Sequence, residues 1–286
     1  MKRSRLCFTL RAAGLTAVVF AGCTSNPFGD DDIGSGRRAI SGKVQLTDGS
    51  DPEEIYVWLE TFNIGARTDN GGRFTLSLPP PSAQGGGGGI DGAFSLYFFV
   101  ANYQLVTAQV ATRGGEFIFN QGEINAKGEL GSTKSLKKTL SILTQIDPNP
   151  VPSNYPYRIG VQVTLQAIID SVTVLIPSVG GLLNAVLFRN LATGAVFVHE
   201  TVIDAPLERL LVGRSPRSRV LQFSLSQIPG LTTGEYEVIP YILIAHDEVP
   251  AELFTTIAPD APSLGPNYVK IPFRREDGRF SIDDPE

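Results

Sequence analysis

From residue 39 onward, apolar and polar positions alternate along the chain with a period of two. Ile40, Val44 and Leu46 are interleaved with Ser41, Lys43 and Gln45, and Phe74, Leu76 and Leu78 with Arg73, Thr75 and Ser77. Ile55, Val57 and Leu59 form another such row, as do Phe94, Leu96, Phe98 and Val100, then Val106, Ala108 and Val110. Ile124, Ala126 and Leu130 are expected to share a face, and so are Leu136, Leu140, Ile142 and Ile146. No stretch shows an i, i+3, i+4 apolar stripe sustained over three turns, so strands are expected rather than helices. About seven short strands before residue 147, each with one apolar face, need a second sheet to cover them, and that predicts a β-sandwich.

The stretch Asp147-Pro148-Asn149-Pro150-Val151-Pro152 interrupts the pattern. Proline lacks the N–H that a ladder needs, so residues 147–156 read as a stiff linker. Alternation then restarts. Ile159, Val161, Val163 and Leu165 face one way, Leu221, Phe223 and Leu225 repeat the pattern, and Leu191-Ala192-Thr193-Gly194 reads as a hairpin turn. Pro240, within the expected strand Val238–Ala245, implies an edge or a bulge. Ser171 to Phe188 holds no charge, which raises the question of a membrane span. Pro177, Gly180, Gly181 and the β-branched Val172, Thr173, Val174 and Ile176 favour strand, turn, strand instead.

Ser41-Gly42-Lys43-Val44, Val57-Trp58-Leu59-Glu60 and Thr68-Asp69-Asn70-Gly71-Gly72-Arg73-Phe74-Thr75-Leu76 occur in an order that resembles the carboxypeptidase regulatory-like domain. That resemblance implies a transthyretin-like sandwich acting as a spacer or interaction module. The late Gly-Tyr of the family stands here as Asn102-Tyr103, and the insertion Pro79 to Gly92, with glycine at every position from 85 to 89, is unusual. Pro229-Gly230-Leu231-Thr232-Thr233-Gly234-Glu235-Tyr236, leading into a strand, is similar to the ends of immunoglobulin-like domains. The expected architecture is all-β, with two tandem β-sandwich domains: transthyretin-like over residues 39–146, then immunoglobulin-like over 157–286 with a C-terminal extension.

The N-terminus reads as an address. Lys2, Arg3, Arg5 and Arg11 precede an uncharged, mostly apolar run from Ala12 to Ala21, which is too short to span a bilayer but fits a secretory signal. It ends in Phe20-Ala21-Gly22-Cys23, which resembles the lipobox of bacterial lipoproteins, with Phe where the family prefers Leu. The resemblance implies removal of residues 1–22, lipidation of Cys23, and a membrane anchor through that lipid. Thr24 stands where an Asp would favour inner-membrane retention, so the expected destination is the outer membrane of a diderm envelope. Residues 23–38 are polar and Gly-rich, and Asp30, Asp31 and Asp32 read as part of a solvated tether rather than as calcium ligands.

Composition narrows the chemistry. A net charge of −5 argues against a nucleic-acid partner. Loss of residues 1–22 removes four positive charges and no negative ones, which takes the net charge to −9. Cys7 would leave with the signal, so Cys23 is the sole cysteine expected in the mature chain, and no cofactor or metal site is expected. With two histidines and no HExxH, GxSxG or phosphate-loop motif, the chain reads as a non-catalytic envelope module that binds a protein or polysaccharide. His246-Asp247-Glu248, at a strand end, is the one candidate for a hydrolase. Arg209, Arg214, Arg217 and Arg219 concentrate positive charge suited to anionic groups. Tyr56, Trp58, Tyr97 and Tyr103 could make a sugar-stacking platform. Trp58 is out of phase with Val57 and Leu59, and either covers the other face or is exposed.

Overall fold

A computed structural model describes residues 37–85 and 88–285. The expected signal segment, Cys23 and the expected tether before Arg37 lie outside the described residues.

The first strands are β1 (Ala39–Leu46), β2 (Tyr56–Leu59), β3 (Ile64–Arg67), β4 (Arg73–Ser77), β5 (Gly92–Phe99), β6 (Val106–Arg113), β7 (Glu116–Phe117) and β8 (Lys134–Leu136). They build two sheets, ordered β4-β1-β8 and β3-β2-β5-β6-β7. Alternation turns Ile40, Val44, Phe74 and Leu76 of the first toward Val57, Leu59, Leu96 and Phe98 of the second, giving the expected sandwich core. The turn before β4 rests on Asp69, whose Oδ1 accepts from the N–H groups of Gly71 and Arg73 at 2.9 and 2.8 Å. Gly72 has φ +73°, and a Cβ there would lie 2.1 Å from the Val44 carbonyl oxygen, so only glycine fits.

The remaining strands are β9 (Leu140–Asp147), β10 (Val151–Pro152), β11 (Ile159–Ala167), β12 (Ser171–Val179), β13 (Leu182–Leu183), β14 (Ala185–Asn190), β15 (Val196–Glu200), β16 (Leu207–Gly213), β17 (Arg217–Phe223), β18 (Gly234–Pro240), β19 (Leu243–Ile244), β20 (Glu276–Asp277) and β21 (Arg279–Asp283). Their sheets run β17-β11-β9-β20, β10-β21-β18-β14-β15, and β13-β12-β16 with β19 also paired to β12. Phe188, Phe223 and Phe280 meet edge to face between the first two of these sheets, with centroids 5.0 to 6.3 Å apart. Ser171 to Phe188 is strand and turn, and no helix among the described residues is long and apolar enough to cross a membrane. Pro240 is the last residue of β18, beyond the reach of β21, so its missing N–H breaks no ladder on that side.

Four expectations need correction. Residues 140–147 do not close the first sandwich; β9 pairs along its whole length with β11, from Leu140 opposite Ala167 to Asp147 opposite Gly160. Period two runs through both β8 and β9, and period alone does not say which sheet a strand joins. The Pro-rich segment is tied down rather than free: Val151 pairs with Ile282, and Asn149 exchanges hydrogen bonds of 2.9 Å with the backbone of Arg279 and Ser281. Between β7 and β8, Ile124 and Leu130 do share the first core, joined by an isolated bridge, but Ala126 is exposed rather than on their face. A helix, α1 (Ala251–Ile257), buries Leu253 and Ile257, an i, i+4 pair too short to stand out as a stripe.

All four residues of β2 are buried, because its sheet is covered on both faces. Val57 and Leu59 belong to the first core, while Tyr56 and Trp58, with Phe99 and Ala101, belong to the second. The described residues fall in one compact unit.

Candidate functional site

The junction between the sandwiches is built around the segment after β5. Asn102 is fully buried, and its side chain bridges three backbone positions. Its Nδ2 donates to the carbonyls of Leu140 and Arg274 at 3.0 and 2.8 Å, and its Oδ1 accepts from the Arg274 N–H at 2.9 Å. Asn102 is thus the peg of the junction. Beside it, Tyr103 Oη donates to Asp48 Oδ2 at 2.7 Å, and Lys138 Nζ sits between Asp48 and Glu276 at 3.2 and 3.1 Å. Burial pushes the Asp48 carboxyl up, but the bonds from Tyr103, Ser50 and Lys138 outweigh it and bring the pKa down to about 2.

An open cleft of about 430 Å³ lies next to this peg. Lys137 and Thr139, from the segment between β8 and β9, line one part of it, and Arg209 of β16 another. His246, Asp247 and Glu248, just after β19, complete it. His246 Nε2 lies 2.7 Å from the Ala101 carbonyl. A carbonyl can only accept, so this nitrogen carries the proton and Nδ1 is the acceptor of the neutral ring. Burial lowers the His246 pKa against the opposing pull of the Ala101 carbonyl, Glu248 and Asp247, which keeps the ring neutral at pH 7. A second cleft, of about 310 Å³, is lined by Arg67, Lys270 and Arg274 with Asp51, Glu53 and Glu54. There Arg67 pairs with Glu54 at 2.9 Å, and Arg274 donates to the backbone carbonyls of Asp51 and Glu53.

Several residues singled out in the sequence stand elsewhere. Trp58 is 3% exposed and Tyr56 6%, so they cover the second core and offer no open stacking platform. Tyr97, half-buried, lies 5.3 Å from Trp58 and donates to Glu60 at 3.2 Å. Tyr103 is buried at the junction. The arginines do not converge: Arg214 pairs with Asp170 at 3.0 Å on the surface, Arg219 pairs with Glu208 at 2.8 Å, Arg217 is exposed, and only Arg209 reaches the cleft. His199 is buried against Phe223, far from any solvent role. Lys137 and Thr139 were not singled out, because Leu136-Lys137-Lys138-Thr139-Leu140 reads as ordinary strand alternation.

The fold and this cleft define a β-sandwich protein with an open polar site at the sandwich junction. No protein-family model matches the chain, and a comparison with curated proteins finds no match. Among solved structures, the chain is similar to a candidate carbohydrate-binding protein from Bacteroides uniformis at 11% identity and TM-score 0.33, covering 70% of this chain and 86% of that one. It is similar to a DUF3823 family protein from Bacteroides ovatus at 9% identity and TM-score 0.29, covering 74% and 92%. It is also similar to BcpA, the major pilin subunit of Bacillus cereus, at 13% identity and TM-score 0.24, covering 71% and 63%. At such scores the likeness is one of β-rich architecture.

Proposed function

We propose that the protein is a non-catalytic module of the bacterial cell envelope, anchored by lipid on Cys23 and presenting a rigid pair of β-sandwiches for binding. Phe20-Ala21-Gly22-Cys23, behind a basic and then apolar leader, carries this reading. From Cys23 to Arg37 the chain is about 14 residues, a tether of up to about 50 Å when extended. That length would suit display of the folded body away from the lipid, and its three consecutive aspartates would be repelled by an anionic lipid surface. The first sandwich is read as carboxypeptidase regulatory-like, since Thr68 to Leu76 supplies its turn and β4, and the second as immunoglobulin-like with a C-terminal extension. Such scaffolds serve attachment and recognition, and the outer membrane is the proposed site in a diderm host.

The test is fatty-acid labelling in a diderm host. Wild-type protein should incorporate labelled palmitate and fractionate with the outer membrane, and Cys23→Ser should do neither. A processed serine variant that still sediments with membranes would overturn the anchor. A second reading, an accessory lipoprotein that binds carbohydrate, is favoured by the make-up of the junction cleft, where Lys137 and Arg209 share the lining with His246, Asp247 and Glu248.

A further inference from the structure

We infer that the junction cleft binds an acidic saccharide, a chain bearing uronic acid, with its carboxylate held by Arg209 and Lys137 and its hydroxyls by the His246–Glu248 side. This rests on the binding-module reading above and gives that module a place and a ligand class.

The cations come first. Among the described residues, the neighbouring basic groups are engaged: Arg214 with Asp170, Arg219 with Glu208, and Lys138 with Asp48 and Glu276. The side chains of Arg209 and Lys137 have no such partner, though they line one cleft from opposite sandwiches. Two unpaired cations converging on a concavity form a receptor for a carboxylate, and the guanidinium fork matches its geometry.

The rest of the cleft requires hydroxyls. Arg209 stands opposite Leu175 of β12, which stands opposite Leu243 of β19, and His246, Asp247 and Glu248 follow directly. Two strand spacings, about 10 Å, separate Arg209 from Leu243, and His246 lies three residues, about 10 Å, further along the strand direction, so about 14 Å separates the Arg209 and His246 backbones. That is the length of a short saccharide. Asp247 and Glu248 are exposed carboxylates that accept from vicinal hydroxyls, and Nδ1 of the pinned His246 accepts one more. An acidic peptide would set its own carboxylates against Asp247 and Glu248, whereas a uronic acid keeps its hydroxyls a ring's width from its charge.

Thr139 supplies an independent sign of an occupant. It is only 9% exposed and its backbone is fully used, by the Asn102 carbonyl at 2.9 Å and the Ile168 N–H at 2.8 Å. Its hydroxyl nevertheless has no partner in the protein. A buried hydroxyl without a partner is costly, and Thr139 lines the cleft, where a ligand oxygen would satisfy it. Val172 and Ile244 add an apolar wall for the carbon face of a ring. The cleft's volume of about 430 Å³ falls within the roughly 300–1,000 Å³ typical of small-ligand sites.

The experiment is calorimetric titration of the full chain with trigalacturonic acid, its carboxyl-reduced neutral counterpart, and triglutamate. Trigalacturonic acid should bind at least about tenfold more tightly than the other two. Arg209→Gln and, separately, Lys137→Gln should remove that preference at an unchanged melting temperature, and Glu248→Gln should weaken both sugars. Equal binding of the two sugars, no binding of either, or triglutamate as tight as trigalacturonate would overturn the assignment. The Cys23→Ser protein should titrate like wild type, so failure of the anchor and failure of the site are read separately.

Discussion

Asn102 and Arg274 hold each other through a closed pair of hydrogen bonds, one from Asn102 Nδ2 to the Arg274 carbonyl and one from the Arg274 N–H back to Asn102 Oδ1, at 2.8 and 2.9 Å. The two residues lie far apart in sequence, and with Leu140 they join the end of the first sandwich to the start and finish of the second.

Asn102→Ala should therefore act on the whole molecule. It strands the Arg274 N–H and takes the Nδ2 donor from the carbonyls of Arg274 and Leu140, around a side chain that is itself fully buried. At about 1–3 kcal/mol for each stranded group, partly relieved by relaxation, the expected loss is roughly 3 kcal/mol. Urea denaturation reads it, and a change below about 1 kcal/mol would mean the junction is held by apolar packing alone.

Trp58→Ala should cost about 4 kcal/mol, as for other large aromatic truncations in a core. It removes the ring that packs on Tyr97 at 5.3 Å and the bond from Nε1 to Asn63 at 3.3 Å. Sugar titration of the folded fraction should be unchanged, because Trp58 lies in the second core rather than the cleft. A selective loss of sugar binding at intact stability would instead restore the stacking platform.

Unfolding should be a single transition, with Asp147–Asn154 resisting proteolysis. Tyr56, Trp58, Phe99 and Ala101 of the first sandwich complete the core of the second, and Val151 and Asn149 are bonded to β21. Early nicking in 147–154, or two separated melts, would show that the sandwiches are independent units after all.

These cases mark where the chain was legible and where it was not. Alternation located β1, β2, β4, β5, β6 and β11 because each side chain's face depends only on local periodicity. It could not assign β9 to a sheet, since pairing partners are chosen by register over long range. The out-of-phase Trp58 did announce a second covered face, but not what covers it. Among the cleft residues, Arg209 and His246 were visible as chemistry. Lys137 and Thr139 acquire meaning only when β12, β16 and β19 are brought against the end of β8.

Stability should fall in two separate acid steps. Burial lowers the pKa of His199, and burial also lowers that of His246 against its carbonyl and carboxylate neighbours, so both native rings hold a proton less readily than the ordinary value of 6.5. As pH drops below 6.5 the unfolded chain takes up protons that the native state refuses, and stability declines until the native values are passed. Asp48 has the same sign in a lower window, because its native carboxyl is depressed from 3.8 to about 2, and its contribution is present above 3.8 and disappears toward 2. Glu276 adds to that second step, since bonds from Lys138 and Ser141 outweigh its burial and lower it from 4.5. Urea midpoints measured from pH 8 to pH 2 should show both declines. The double variant His199→Phe, His246→Gln should flatten the first, and Asp48→Asn should reduce the second. A wild-type midpoint constant between pH 6.5 and 5 would mean that both imidazoles meet water in the native state, contrary to the burial of His199 beside Phe223.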